Sequence, residues 1–503
     1  MLFNSLEFAF FFPVVTILFF LLPHKFRWML LLAASCFFYM FFKPIYIFIL
    51  VFTIIIDYFA GIWIAREPDK RKKKRLLLLS IVANVGVLAV FKYYNFIAIN
   101  INTVLESVHR TGTVPLLSIL LPIGLSFHTF QAMSYTIEIY RGRQQPEKHF
   151  GIYALYVMFY PQLVAGPIER PQNILHQFHE VKHFDYENMR SGLIQIAWGL
   201  FKKVVIADRL ALFVNQVYNN PVGYTGLPLI IATIFFAFQI YCDFSGYSDI
   251  AIGTARCMGY NLMTNFNKPY RATSIAEFWQ RWHISLSTWF RDYVYIPLGG
   301  NRVPVGRWCL NILIVFMLSG AWHGANWTFI VWGALHGIYL LGERFFHKSR
   351  QPAVRRTSDQ QPGDQRPEVR RPSLPATIFR RLVVFTLVTF AWIFFRAQNL
   401  GQARYIIRNL FVGLRGQLRD VIANLHFARL QLVYLNQSLN ELVIALAALA
   451  FLTFIQSLQN DQPIDKWLEA RPRPLRWAFY YGIPLAFVSL GIFNRSKFIF
   501  FQF

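Results

Sequence analysis

Charge is scarce in this chain. Asp, Glu, Lys and Arg together make up only 15% of its 503 residues, well short of the quarter or so found in soluble globular proteins. Acids are the scarcer half, 25 against 50 lysines and arginines. With 55% hydrophobic residues, so little charge excludes a water-soluble globule. Cysteine is scarcer still: Cys36, Cys242, Cys257 and Cys309 lie in or beside apolar runs without CxxC or metal-ligand spacing, which excludes a disulfide framework and a zinc ribbon. No H-E-x-x-H pattern accompanies His283, His323, His336 and His347, and His323 to His336 is too long a step to share one helix face closely, so no metal site is expected. Internal repeats and a soluble domain are also missing. The first apolar run has Glu7 before it in place of a basic segment and no small-residue cleavage site after it. It therefore reads as a retained membrane helix rather than a cleaved signal.

Long apolar stretches recur from Phe8–Leu22 to Trp477–Phe493. A helical crossing needs about 20 apolar residues, which gives about eleven membrane-embedded segments, the short or glycine-interrupted ones being re-entrant. The expected fold class is an all-α polytopic membrane protein. The net charge of +25 is read as orientation rather than nucleic-acid binding, because the basic residues cluster in short loops between apolar runs. The run from Arg66 to Arg75 follows three apolar segments, and the run from Arg141 to Lys148 follows two more. Both loops agree on a cytoplasmic side and leave the N-terminus outside the cytoplasm. Residues 1–140 read as N-terminal helices, 141–346 as a catalytic core, 347–377 as a flexible cytoplasmic loop too polar to pack, and 378–503 as C-terminal helices. Between 401 and 437 an amphipathic spacing fits an interfacial helix.

Against this background a few polar groups stand out. His323 lies in Leu310–Ala325, an otherwise apolar run. An ionisable side chain there must face protein or a wet cavity and usually has a task. Imidazole suits proton transfer near neutral pH, so His323 is the candidate general base for attack of a hydroxyl on an acyl carbon, its alternative being a buried structural imidazole. Asp243, Ser245, Tyr247 and Asp249, with Ser248, follow the apolar run Leu227–Ile240. They fit either a wet polar core or a structural network with Arg256 or Arg271. From Ile275 to Gly300 the chain is too polar for a lipid-facing span. As a helix it puts Glu277, Arg281, Ser285, Thr288 and Asp292 on one face and Phe278, Trp282 and Trp289 on another.

Six strings in fixed order then define a resemblance: Leu121–Phe127, Leu163–Ile168, Asp243–Asp249, Glu277–Ser287, Tyr295–Arg302 and Trp322–Ala325. Together they resemble the membrane-bound O-acyltransferase (MBOAT) family, and most closely its bacterial branch, which contains the membrane subunit of alginate O-acetyltransferase. The closing Phe498–Phe503 resembles that branch too. Cys242 departs from it, standing where an aromatic residue is expected. The resemblance implies a ring of helices around a central tunnel, with re-entrant and interfacial helices. It also implies an intramembrane catalytic histidine matched by His323, and a second polar position matched by His283. No permanently bound cofactor is implied; acetyl-CoA is the implied donor substrate. The acetyl group would cross the bacterial inner membrane to an exported polysaccharide through a partner of the SGNH esterase-like type. D-alanyl transfer to a wall polymer is the alternative within the enzyme class, and a transporter is the alternative outside it.

Geometry adds expectations of its own. Sixteen residues past Arg307, His323 lies about 24 Å along a straight helix, beyond the midplane of a core about 30 Å thick. The run from Trp327 to Phe346 then turns back, which puts His323 at the apex of a hairpin. Either residues 275–300 re-enter the membrane, with Pro297 and Gly299–Gly300 turning the chain where it is buried in protein, or His283 acts on the donor side away from His323; re-entry is the favoured reading. Lys268, Arg271, Arg281, Arg291 and Arg302 are the candidates for the donor's phosphates.

Overall fold

A computed structural model describes the chain except for residues 111, 119–120, 351–372, 424–430, 460, 494–498 and 500–503. Helices make up the fold, and no strand occurs among the described residues. The α-helices longer than two short turns are, in chain order, α1 (Leu6–Leu21), α2 (His24–Met40), α3 (Ile47–Arg66), α4 (Lys70–Leu88), α5 (Tyr94–Ser107), α6 (Leu125–Tyr140), α7 (Phe150–Met158), α8 (Tyr186–Leu200), α9 (Asp208–Tyr218) and α10 (Leu227–Cys257), the shorter Tyr160–Leu163, Pro171–Ile174, Gln431–Tyr434 and Ile464–Glu469 being left without labels. They continue as α11 (Ile275–Arg281), α12 (Ile284–Phe290), α13 (Val305–His323), α14 (Trp327–Arg350), α15 (Leu374–Arg396), α16 (Leu400–Asn409), α17 (Leu414–Ala423), α18 (Leu439–Leu458) and α19 (Arg473–Leu490).

Six helical stretches among the described residues are long and apolar enough to cross a membrane, at Pro44–Arg66, Lys70–Ser107, Leu227–Cys257, Val305–His323, Leu374–Arg396 and Leu439–Leu458, with Leu6–Leu21 apolar but shorter. The remaining apolar segments of the sequence are shorter or more polar helices. Several of these, α6 among them, are buried along nearly their whole length. A helix screened by neighbouring helices need not be apolar all round. The molecule is an all-α, multi-pass membrane protein.

Two π-helical segments matter for the site. Ala89–Tyr93 joins α4 to α5, and Phe201–Ala207 joins α8 to α9; such bulges rotate the side chains that follow them. Helix α10 is the hub. It packs closely on α8, where a Cβ on Gly199 would lie 2.6 Å from the carbonyl of Gly246, so only small residues permit the contact. The polar motif of α10 fastens this junction. Lys203 pairs with Asp243 at 2.6 Å and with Asp208 at 2.8 Å, while Lys202 pairs with Asp249 at 2.5 Å and bonds Ser245 at 2.9 Å. The expected arginines are engaged elsewhere: Arg256 with Asp465, and Arg271 with the carbonyl of Gln456. Lysines one helix away reach the acids first because the π segment turns both toward α10. The backbone N–H of Ile499 also donates to Asp243, while the rest of the closing motif lies outside the described residues. Tyr247 packs its ring against Phe3.

The loop expected over 347–377 is helical at both edges, since α14 runs to Arg350 and α15 begins at Leu374; residues 351–372 between them lie outside the described residues. The amphipathic stretch after 401 forms two helices, α16 and α17, rather than one.

Candidate active site

The site begins with a helix that does not continue. Ser274 caps α11 by accepting from the N–H of Glu277, whose carboxylate accepts in return from Thr273. This is close to a capping box, with the carboxylate reaching the N–H of the residue before the cap instead of that of the cap itself. The helix stops after about two turns, where Trp282 is extended and His283 takes a left-handed conformation, with φ 42° and ψ 56°. The amphipathic face read along residues 277–292 is therefore split: α12 leaves in a new direction, and Arg291–Tyr295 continues as a π segment before the turn at Gly299 and Gly300. The break carries His283 inward instead of along an interface. Its side chain is 0% exposed, as the re-entrant reading requires.

Asn265 holds that bend. Its side-chain oxygen accepts from the Ser285 N–H at 3.3 Å and the Ser285 hydroxyl at 2.9 Å, and lies 3.1 Å from His283 Nδ1. The Ser285 N–H can only donate, which orients the amide oxygen, so Nδ1 of a neutral His283 carries the proton and Nε2 keeps its lone pair. His283 Nε2 has no hydrogen-bond partner among the described residues. The Asn265 amide nitrogen donates to Ser248 at 3.1 Å, which ties the bend to α10. Phe244 meets the His283 ring edge-on at 4.6 Å between centroids.

His323 is the last residue of α13, and α14 begins four residues later at Trp327, so it does stand at the apex of a hairpin. The two helices touch backbone to backbone: a Cβ on Gly320 would sit 2.1 Å from the carbonyl of Phe329. Trp322 at 4.9 Å, Trp332 at 5.1 Å and Phe395 at 5.3 Å surround the His323 imidazole, which is 5% exposed. The His283 ring lies 6.3 Å away between centroids. The structure thus brings the two expected histidines together.

The end of α13 is capped by a residue that sequence reading passed over. Lys92, in the π segment before α5, donates to the carbonyls of Trp322 at 2.6 Å and His323 at 3.0 Å. Its neighbour Tyr93 donates to Ala321 at 2.8 Å. An ammonium at a helix C-terminus meets the negative end of the helix dipole. An ionisable group in an apolar run, the signal that picked out His323, would also have picked out Lys92.

On one flank of His323 the wall is aromatic. Trp332 leads to His336 at 5.0 Å, and Trp279 meets that ring at 4.9 Å. The indole N–H groups of Trp279 and Trp332 and both ring nitrogens of His336 have no hydrogen-bond partner among the described residues. On the other flank a cavity of about 660 Å³ reaches Gly324, lined among others by Lys92, Asn215, Asn219, Asn326, Arg396 and Gln398.

The five basic candidates divide. Lys268 donates to the Gln462 carbonyl at 3.2 Å, and Arg271 to that of Gln456 at 2.8 Å. Arg281 is bound by Glu277 at 2.9 Å and Asp461 at 2.8 Å, so two carboxylates already compensate its charge. Burial pushes the Lys268 ammonium down to about 8, with the charges of Arg271 and Arg281 adding to the effect and Asp461 opposing it. Arg291 pairs with its neighbour Asp292, and Arg302 is exposed. Arg271 shares a cavity with Arg381, a second cation that sequence reading did not single out.

Comparison with known proteins now bears on this arrangement. The membrane-bound O-acyltransferase family matches residues 148–363. A peptidoglycan O-acetyltransferase of Helicobacter pylori is 36% identical over 412 residues, covering 77% of this chain and 74% of that protein. A probable alginate O-acetylase of Pseudomonas aeruginosa is 37% identical over 443 residues, covering 86% and 80%. The chain belongs to the membrane-bound O-acyltransferase family. It is an acyltransferase. A teichoic acid D-alanyltransferase of Streptococcus thermophilus is also similar, at 30% identity over 267 residues, half of this chain and 63% of that protein. The family match spans His283, His323 and His336 alike, so it is the geometry that distinguishes their positions.

Proposed function

We propose that this acyltransferase moves an acetyl group from a cytoplasmic thioester, acetyl-CoA, across the bacterial inner membrane to a hydroxyl of an exported or cell-surface polysaccharide, with an exported SGNH esterase-like protein as partner. One observation carries the reading: His323 packs against Trp332 of the aromatic wall and is followed in the chain by Gly324, which lines the polar cavity, so both surroundings come within reach of one imidazole. A ring nitrogen of His323 takes the acceptor's hydroxyl proton as that oxygen bonds the thioester carbonyl carbon. The carbon–sulfur bond then breaks, and the proton returns to the departing thiolate. General-base assistance of this kind contributes about 10² to 10⁴-fold.

The direction of travel rests on chain polarity. Helix α4 starts in the basic run at Lys70, α13 two residues before Arg307, and α15 after the arginine-rich segment. All three run from that basic side toward Lys92, His323 and Arg396. Positive charge favours the cytoplasm, so the polar cavity faces outward and the N-terminus of the chain lies outside. The donor's phosphates meet Lys268, Arg271 and Arg381 on the basic side. Its amide-bearing arm supplies partners for Trp279, Trp332 and His336 on the way to His323, and His283 Nε2 offers a lone pair near the same point.

Proteoliposomes made with the full chain test this. With labelled acetyl-CoA on the basic-loop side, acetyl release that depends on a saccharide and its partner on the other side is expected. Solute flux without acyl turnover would overturn the reading. Faster turnover of a D-alanyl carrier-protein thioester would replace the acetyl group with the D-alanyl group that the Streptococcus relative's name carries.

A further inference from the structure

A groove between the C-terminal helices belongs to neither flank of His323. Helices α18 and α19 both lie against the π segment Phe201–Ala207: the Phe451 ring of α18 is 5.6 Å from that of Phe201, and the Ile492 N–H, just after α19, donates to the Val204 carbonyl. Between the two helices runs an apolar groove of about 490 Å³. Ala447 and Ala448 of α18 and Ala478, Gly482 and Ala486 of α19 line it. Small residues of this kind usually let membrane helices close on one another, yet a Cβ on Gly482 would meet nothing within 4 Å. Along α18 the lining extends from Val443 to Ile455, about 18 Å at 1.5 Å per residue. One leaflet of the hydrocarbon core is about 15 Å thick, so the groove has the length of one acyl chain.

One end of the groove is basic. Trp467 and Leu475 line that end, and Lys466, Arg471, Arg473 and Arg476 stand next to them in the chain. The acids of the same segment are engaged by distant arginines, Asp461 by Arg281, Asp465 by Arg256 and Glu469 by Arg190, so these four cations have no carboxylate partner among the described residues. The Arg471 guanidinium lies 4.7 Å from the Trp467 ring, and its Nε is buried with no hydrogen-bond partner among the described residues. Exposed Trp477 and Tyr481 stack at 5.5 Å one to two turns further along α19, as aromatic residues do at a membrane–water boundary. The basic end is on the side of the basic loops. Helix α10 begins beside α16, which follows Arg396, through the bond from the Gly226 N–H to the Asn409 carbonyl, and it ends near Arg256, the partner of Asp465.

We infer that this groove is a binding site for an anionic phospholipid of the leaflet on the basic-loop side. One acyl chain lies between α18 and α19, and Arg471, Arg473 and Arg476 hold the phosphate head group. Basic pockets between membrane helices on the cytoplasmic side take such head groups. The acyl chain rests on Phe201 and Val205, in the π segment whose Lys202 and Lys203 fasten α10. The lipid thus supports that junction from behind. The inference does not depend on the acyl-transfer reading.

The test is native mass spectrometry of the purified full chain, equilibrated in detergent with phosphatidylglycerol, cardiolipin or phosphatidylcholine of matched chain length. At least one of the two anionic lipids should be retained at least about tenfold more than phosphatidylcholine, and the preference should shrink with added salt. Arg471→Gln, Arg473→Gln and Arg476→Gln combined should abolish it. Gly482→Phe, whose ring enters the open groove, should lower retention of the anionic lipid by a similar factor while the chain still elutes as a single species. Thermal unfolding in nanodiscs of each lipid gives a second readout, because a ligand that binds only the folded chain raises its Tm. The wild-type chain should unfold at a higher temperature in the anionic lipid, and both variants should lose that difference. Equal retention of all three lipids would overturn the proposal, as would a preference that survives Gly482→Phe. A wild-type dimer that Gly482→Phe converts to a monomer would also overturn it, since a second copy would then fill the groove.

Discussion

The two flanks of His323 are chemical opposites. On one side Trp332, Trp279 and His336 form a buried aromatic wall whose nitrogen groups meet no hydrogen-bond partner among the described residues. On the other, amides and two cations line a cavity of about 660 Å³. An apolar wall with a few unmet polar groups suits a thin, amide-bearing arm and keeps water from the thioester. A polar vestibule suits a hydroxyl-rich acceptor. The contrast teaches that the two surroundings meet at the hairpin turn, where α13 ends in His323 and the next residues, Gly324 to Asn326, line the cavity.

The largest effect should come from removing that imidazole. His323→Ala should lower acyl transfer by at least about 10² to 10⁴-fold while the protein still elutes as a single species in detergent. Transfer retained within a few-fold would assign the base elsewhere, with His283 as the next candidate. A structural effect of similar weight should come from Lys203→Met. It strands Asp243 and Asp208, both buried, and removing one partner of a buried pair typically costs about 3–5 kcal/mol. A large fall in thermal stability is expected. Unchanged stability would mean that the acids of the α10 motif are not held by Lys203 and would reopen a catalytic role for Asp243.

Asn265→Leu should act more mildly and between the two flanks. It leaves the Ser285 N–H, the Ser285 hydroxyl and His283 Nδ1 without their shared acceptor, at about 1–3 kcal/mol for each buried group left unmet. If Asn265 positions His283, turnover should fall further than the loss of folded protein explains. His283→Asn, which tolerates the left-handed backbone, should fold better than His283→Leu. Equal folding of the two would show that the bend does not depend on the conformation at residue 283.

Much of this was legible in the sequence where a single residue stood out from its surroundings. His323 was visible as a costly group in an apolar run, and the hairpin apex followed from counting residues back to Arg307. Burial of His283 within the protein was foreshadowed by the polarity of its segment and by the glycines after it. What could not be read were partners set by distant chain. The choice of Lys202 and Lys203 over Arg256 and Arg271 depends on a π segment that no periodicity announces. The break at His283 depends on Asn265 clamping the bend from 18 residues away. Lys92 and Arg396 meet in one cavity only because the π segment after α4 and the end of α15 both lie against the same hairpin, about three hundred residues of sequence from one another. The helices of the core hid their membrane depth because protein, not lipid, surrounds them.

The smallest effect distinguishes the donor flank by pH. Burial holds the Lys268 ammonium down at about 8 against an ordinary value of 10.5, so the group is charged below pH 8 and loses its proton above it. A phosphate contact favours the charged form. Donor binding through Lys268 should therefore be insensitive to this group below about pH 8, and should weaken above it by up to about tenfold per unit as binding must take up a proton. The sign for stability is opposite. A lysine whose folded pKa is depressed penalises the folded chain fully below 8, and the penalty is released as pH rises toward 10.5, where the unfolded chain gives up its proton too. The Michaelis constant for acetyl-CoA should thus worsen above pH 8 while this group's contribution to thermal stability improves. Lys268→Arg, which stays charged throughout, should flatten the first trend. Parallel pH profiles in the wild-type chain and Lys268→Arg would remove Lys268 from the donor side and leave Arg271 and Arg381 to carry the phosphates.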